Sequence, residues 1–117
     1  MKSREVVRAL GALAHEYRLD VYRLLVREGP EGLPAGAIGE RVGLAPSSLT
    51  FHLQAMQRAG LIRQARASRQ LFYSADYAAM NGLLGYLTDE CCSAGTPCAP
   101  DCEPKAASRK SRSAKAA

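Results

Sequence analysis

Apolar residues recur every three or four positions through the first half of the chain and give way to alternation only after Gly60. The helical period predicts a first short helix over Lys2 to Leu13, with Val6, Leu10 and Leu13 on one stripe and Val7 and Ala14 beside it. A second helix, about His15 to Arg27, sets Leu19, Tyr22 and Val26 on one side. Val21, Leu24 and Leu25 widen that stripe into a face broad enough for the helix to be largely buried. The run EGPEGLP, Glu28 to Pro34, has two glycines and two prolines and reads as a turn. A third helix fits Ala35 to Val42, with Ile38 and Val42 inward. The turn Gly43, Leu44, Ala45 then leads into the stretch around which the chain is organised, GLAPSSLTFHLQAMQRAG, Gly43 to Gly60. Pro46 suits a first helical position, where an N–H would have no partner, and Gly60 can take the left-handed conformation that stops a helix. Two helices joined by a short glycine-containing turn make a helix-turn-helix.

Beyond Gly60, LIRQARASRQLFYSA alternates with period two. Leu61, Arg63 and Ala65 oppose Ile62, Gln64 and Arg66; after a turn at Ala67-Ser68, Leu71 and Tyr73 oppose Gln70 and Phe72. This predicts a β-hairpin with Arg66 and Arg69 at its tip. A last helix is expected from Asp76 to about Glu90, apolar at Tyr77, Met80, Leu83, Leu84 and Leu87. The expected fold is mainly α with a small β-hairpin wing, a winged helix-turn-helix. Its first and last helices carry more apolar surface than so small a core can cover, so the chain is expected to form a homodimer through them. Residues 1–92 are expected to form the DNA-binding and dimerisation domain. From Ser93 the composition turns to Ala, Ser, Pro, Lys and Arg, and 93–117 are expected to be a cysteine-containing, largely flexible basic tail.

Leu49, Leu53 and Met56 stack along one face of the Gly43–Gly60 helix; Ser47, Thr50, Phe51, Gln54 and Arg58 lie roughly opposite. Short hydrogen-bonding side chains near a helix N-terminus suit the DNA major groove, where acidic ones would be repelled. Charge favours that reading over an ordinary surface helix. Arg41 to Ala75 contains no Asp or Glu, yet it holds Arg41, Arg58, Arg63, Arg66 and Arg69, the expected footprint of phosphate attraction. A hairpin directly after a helix-turn-helix would lay its arginines on phosphates or in the minor groove. The DNA-contacting set expected is therefore Ser47, Ser48, Thr50, Phe51, Gln54, Arg58, Arg66 and Arg69. His52, beside the core residue Leu53, is a weaker member and as readily a partly buried structural residue. His15, at a helix start, reads as a capping or packing residue.

The formal charge of +5 sits largely in the tail, where Lys105, Arg109, Lys110, Arg112 and Lys115 face Glu103. With 117 residues there is room for one modest core but not for a deep catalytic cleft with a lid. No carboxylate pair or glycine-rich phosphate loop points to an enzyme. No apolar run reaches the roughly 20 residues that span a bilayer, and the N-terminal charges interrupt any signal-peptide core, so a cytoplasmic protein is expected. There thiols stay reduced. All four cysteines fall in one short run, DECCSAGTPCAPDC, at Cys91, Cys92, Cys98 and Cys102. Neighbouring cysteines make awkward disulfide partners, but three thiolates suit a soft trivalent ion such as arsenite or antimonite. Cys91, Cys92 and Cys98 are the expected ligands, with Cys102 spare. Zinc and cadmium binding, or a thiol redox response, remain as alternatives, although zinc sites usually space chelating cysteines by two to four residues.

Three segments together resemble the ArsR/SmtB family of winged-helix repressors: ALAHEYRLDVYRLL (Ala12 to Leu25), IGERVGLAPSSLTFHLQAMQRAGLI (Ile38 to Ile62) and RASRQLFYSA (Arg66 to Ala75). The resemblance covers about residues 4–92. It implies a dimeric repressor, paired through its first and last helices, that leaves operator DNA when a metal or metalloid binds. By motif position Ser47, Thr50, Phe51 and Gln54 would face the groove. The Cys-x-Cys site of many arsenic-responsive members is absent here, where Leu33, Pro34, Ala35 and Gly36 stand. The last helix has Asp76 and Asp89 but no histidine for the family's zinc site. The vicinal pair followed by a third cysteine six residues on is similar to an arsenite-responsive subgroup, implying arsenite or antimonite as inducer.

Overall fold

The computed structural model describes residues 1–91. Residues 1–87 make one compact unit. Five helices and three short strands follow in the order α1 (Ser3–Leu13), α2 (Glu16–Glu28), β1 (Leu33–Pro34), α3 (Ala35–Val42), α4 (Pro46–Arg58), β2 (Ile62–Ala67), β3 (Gln70–Ala75) and α5 (Tyr77–Thr88). The fold is thus mainly α with a small antiparallel sheet, a winged helix-turn-helix. Thr88 begins a second unit, whose described residues close a turn in which the Cys91 N–H donates to the Thr88 carbonyl at 3.0 Å. No helix among the described residues is long and apolar enough to cross a membrane.

The helix boundaries have local causes. Glu5 reaches back to accept the Lys2 N–H at 2.9 Å ahead of α1. His15 caps α2, its Nδ1 accepting the Tyr17 N–H at 3.2 Å. Pro46 opens α4 at its first turn, and the Asp76 carboxylate accepts the Ala79 N–H at 3.0 Å to start α5. Gly43 ends α3 in the left-handed conformation, φ +76°, and its N–H and that of Leu44 both donate to the Gly39 carbonyl. This fixes the turn between the two helices of the motif. Gly39 also permits their close packing, because a Cβ there would lie 3.1 Å from the Leu44 carbonyl oxygen.

The core gathers Val21, Leu25, Ile38, Leu49, Leu53, Met56 and Leu61, all essentially without solvent contact. α5 is tied to α2 by the Tyr77 hydroxyl, which donates to the Val26 carbonyl at 2.9 Å, while Leu83 is its buried residue. Two details depart from the sequence pattern. Leu19 is 45 % exposed, since the buried face of α2 is centred on Val21, Tyr22, Leu24 and Leu25. On α1 it is Val6, Ala9 and Ala12 that turn inward, leaving Val7 and Leu10 at the surface.

The hairpin is part of a three-stranded sheet of order β1-β3-β2, not a free two-stranded wing. The run expected to be only a turn supplies β1, with Leu33 opposite Tyr73 and Pro34 opposite Phe72. The hairpin turn falls one residue later than the pattern implied. Ala67 and Gln70 are paired, and Ser68 and Arg69 form the two-residue turn with φ of +51° and +71°. Both central residues having positive φ marks the turn that matches strand twist and normally carries Asn-Gly. Replacing Ser68-Arg69 by Asn-Gly is expected to stabilise the protein by about 1 kcal/mol, read as a raised urea midpoint with unchanged denaturant slope. A lowered midpoint would show that the turn is not strained.

Candidate nucleic-acid interface

α4 presents two chemically different sides. Leu49, Leu53 and Met56 are buried, whereas Ser47, Ser48, Thr50, Phe51, Gln54 and Arg58 are exposed. The Thr50 hydroxyl donates to the Pro46 carbonyl at 2.9 Å, so what Thr50 offers outward is a methyl group and an acceptor oxygen. Phe51 is 59 % exposed, an expensive position for an aromatic ring unless something covers it. Methyl and ring surfaces of this kind pack on thymine methyl groups, while Gln54 can pair in bidentate fashion with adenine. The exposed side of the helix therefore offers both polar and apolar groups.

Arg41, Arg58, Arg63, Arg66 and Arg69 are all exposed. In the sheet Arg63 pairs with Ser74 and Arg66 with Leu71, so the two arginines point to opposite faces of β2, and Arg69 sits in the turn itself. Gln64 donates to the Tyr73 hydroxyl across the ladder at 2.9 Å.

His52 is on the inner side of α4, only 8 % exposed, and its Nδ1 accepts the Nε–H of Arg18 at 3.0 Å. The bond fixes the neutral tautomer with its proton on Nε2. His15 lies against it with ring centroids 4.6 Å apart, and the Arg18 guanidinium carbon is 5.6 Å from the centre of the Phe51 ring. Loss of solvent, then the nearby His15 and Arg18, push the His52 pKa below the usual histidine range. α2 and α4 are thus linked beneath the reading face through Arg18, a residue the sequence reading had not singled out. No local spacing could reveal a contact between positions 34 apart.

Cys91 is exposed. Cys92, Cys98 and Cys102 lie outside the described residues, as does the basic tail.

A helix-turn-helix domain family matches residues 13–65. The nodulation protein NolR of Rhizobium meliloti is 32% identical over 80 residues, which are 68% of this chain and 63% of that protein, so the chain spans less than two thirds of this relative's length. An ArsR-like transcriptional regulator from Rhodococcus sp. RHA1 superposes with a TM-score of 0.64 at 25% identity, covering 72% of this chain and 76% of that one. A homodimeric winged helix-turn-helix DNA-binding domain from Mycobacterium bovis, described as a possible ArsR-family transcriptional regulator, gives 0.59 at 28% identity, with 74% and 81% covered. Fold, exposed α4 face and matches together define a winged helix-turn-helix domain, similar to those of transcriptional regulators. Within that class, the solved neighbours to which the chain is similar include ArsR-like regulators.

Proposed function

We propose that the protein is a cytoplasmic repressor that binds operator double-stranded DNA as a homodimer and releases it when trivalent arsenic or antimony binds Cys91, Cys92 and Cys98. The observation that supports DNA reading most is the surface of α4 and the wing: Arg58, Arg63, Arg66 and Arg69 are exposed there, Arg41 is exposed on α3, and no carboxylate stands anywhere from Arg41 to Ala75. Dimerisation is supported by apolar side chains left at the surface of α1 and α5. Val7 is 66 % exposed, Leu84 53 % and Leu87 55 %. Met1, just ahead of α1, lies beside Gly82 of α5. The Mycobacterium bovis neighbour is itself homodimeric. A two-fold pairing would set two α4 helices to read successive turns of an inverted repeat.

The metalloid response rests on thiol chemistry and spacing. Three thiolates complete a pyramidal site for a trivalent ion, and the vicinal pair disfavours zinc and an internal disulfide. Coupling between ion and DNA is reciprocal: whatever factor arsenite takes from DNA affinity, DNA takes from arsenite affinity. Fluorescence anisotropy of an operator fragment, with reduced protein and titrated arsenite, zinc or peroxide, tests the proposal. Arsenite is expected to weaken operator binding at least tenfold, about 1.4 kcal/mol. Cys91→Ser, Cys92→Ser or Cys98→Ser should each retain operator affinity and lose that response. Release by arsenite from the triple variant would overturn the cysteine assignment, and release by peroxide alone would replace the metalloid with a redox signal.

A further inference from the structure

Behind the reading face, between α1, α2 and α4, is an open basin of about 580 Å³ whose rim carries Arg8, Arg18 and Arg58. Its volume lies in the range of small-ligand sites, about 300–1,000 Å³. Its floor is small and almost featureless, made by Gly11, Ala12, Ala55 and Ala59, and no Asp or Glu is among its lining residues. Three arginines on one rim with no carboxylate among the lining residues give the basin a positive potential that favours an anion. Arg18 is already oriented, its Nε–H donated to His52 and its guanidinium beside Phe51, and it lines the basin. Guanidinium forks match the oxygens of phosphate in pairs, and several forks around one space suit a tetrahedral oxyanion better than a planar carboxylate.

We propose that this basin is an anion site for a phosphate group, held by Arg8, Arg18 and Arg58. The phosphate has two possible sources, the backbone of bound DNA or a free phosphate in solution. Arg58 belongs to the DNA-reading helix, so the first source rests on the proposed function, whereas the second does not.

The test uses the full chain, the variant Arg8→Gln/Arg58→Gln, and Arg4→Gln as a control that removes an exposed arginine outside the basin. Both basin arginines replaced are exposed, and circular dichroism checks that the variants fold. Inorganic phosphate, compared with chloride at equal ionic strength, is titrated while the melting temperature and the ³¹P resonance are followed. Operator affinity is measured in parallel against salt. A free-phosphate site predicts a melting temperature raised by phosphate in the wild type and in Arg4→Gln, and unmoved in the double variant. A backbone-phosphate site predicts no such rise, but a salt slope for operator binding smaller by about 1.8 in the double variant than in the wild type, the signature of one lost phosphate contact in each protomer of the bound dimer. Arg8→Lys/Arg58→Lys, which keeps charge and loses the forks, should recover only part of either effect. If phosphate moves no variant and the double variant's slope equals that of Arg4→Gln, the basin is not an anion site. The phosphate titration stands even if no DNA binding is found.

Discussion

Gly32→Ala is expected to destabilise the protein by about 3 kcal/mol, enough to shift a urea midpoint by more than 1 M at the slopes usual for small domains. Two costs combine at this position. Gly32 has φ +74°, a conformation that costs an L-residue roughly 1–2 kcal/mol. A Cβ would also collide with the Tyr73 carbonyl, lying 2.7 Å from its carbon and 3.1 Å from Ser74 Cβ. Backbone on β3 cannot yield as a side-chain tip can, so relief requires β1 to leave its ladder with Tyr73 and Phe72. Gly43→Ala provides the control. Its φ is +76°, close to that of Gly32, but nothing lies within 4 Å of the added carbon, so only the conformational cost of about 1–2 kcal/mol applies. Equal losses in the two variants would show that the close approach to β3 does not constrain the sheet.

The same glycine shows where the sequence was legible and where it was not. Helices were readable because their causes are local. Pro46, Gly43 and Gly60 mark boundaries, and the spacing of Leu49, Leu53 and Met56 identifies the buried side of α4 from within a dozen residues. β1 was not, because two residues cannot display a period and their pairing with Tyr73 and Phe72 is made across about 40 positions. The hairpin turn slipped by one for a related reason. Ser68-Arg69 lacks the Asn-Gly chemistry that marks such a turn, and the register is set by the ladder from Ile62–Ala75 to Ala67–Gln70. Leu19 was assigned inward because a hydrophobic stripe drawn on one helix does not say which part of it a neighbour covers. At the interface, residue type and charge indicated α4 and the wing, but the support beneath them, Arg18 on His52 and Phe51, exists only once α2 packs on α4.

That support changes how the reading face is understood. Exposed Phe51 and the back-bonded Thr50 sit on a helix whose far side is packed into the core, so the helix backbone is held in place and binding has its exposed side chains to order. Arg18 adds a cation immediately beside an aromatic ring on that face, an arrangement that favours approach to phosphate while covering part of the ring. Displacing α2 relative to α4 would disturb both. α5 is tied to α2 through the Tyr77 hydroxyl, which donates to the Val26 carbonyl.

Substitution at His52 should reveal how much this link contributes. His52→Ala removes a buried ring and the acceptor of a charged donor, and is expected to cost about 2–3 kcal/mol at pH 8. His52→Gln, able to keep a carbonyl acceptor for the Arg18 Nε–H, should lose less. The two variants also differ from the wild type in their response to acid. His52 faces His15 and Tyr17 from the start of α2, and Arg18 from its first turn; burial, and after it these neighbours His15 and Arg18, oppose its protonation. Its pKa in the folded protein lies below the ordinary value of 6.5, so between the two pKa values the unfolded chain binds the proton and the folded one does not. Stability from this source is therefore complete above pH 6.5 and is lost as pH falls through the folded pKa, with a slope below the 1.4 kcal/mol per pH unit that one full proton would give. Urea denaturation of the wild type and His52→Gln from pH 8 to pH 5 checks the sign: the wild type's advantage should be constant down to about pH 6.5 and shrink below it. A constant difference over the whole range, or one that grows in acid, would mean that His52 is not the neutral acceptor holding Arg18 beneath the reading helix.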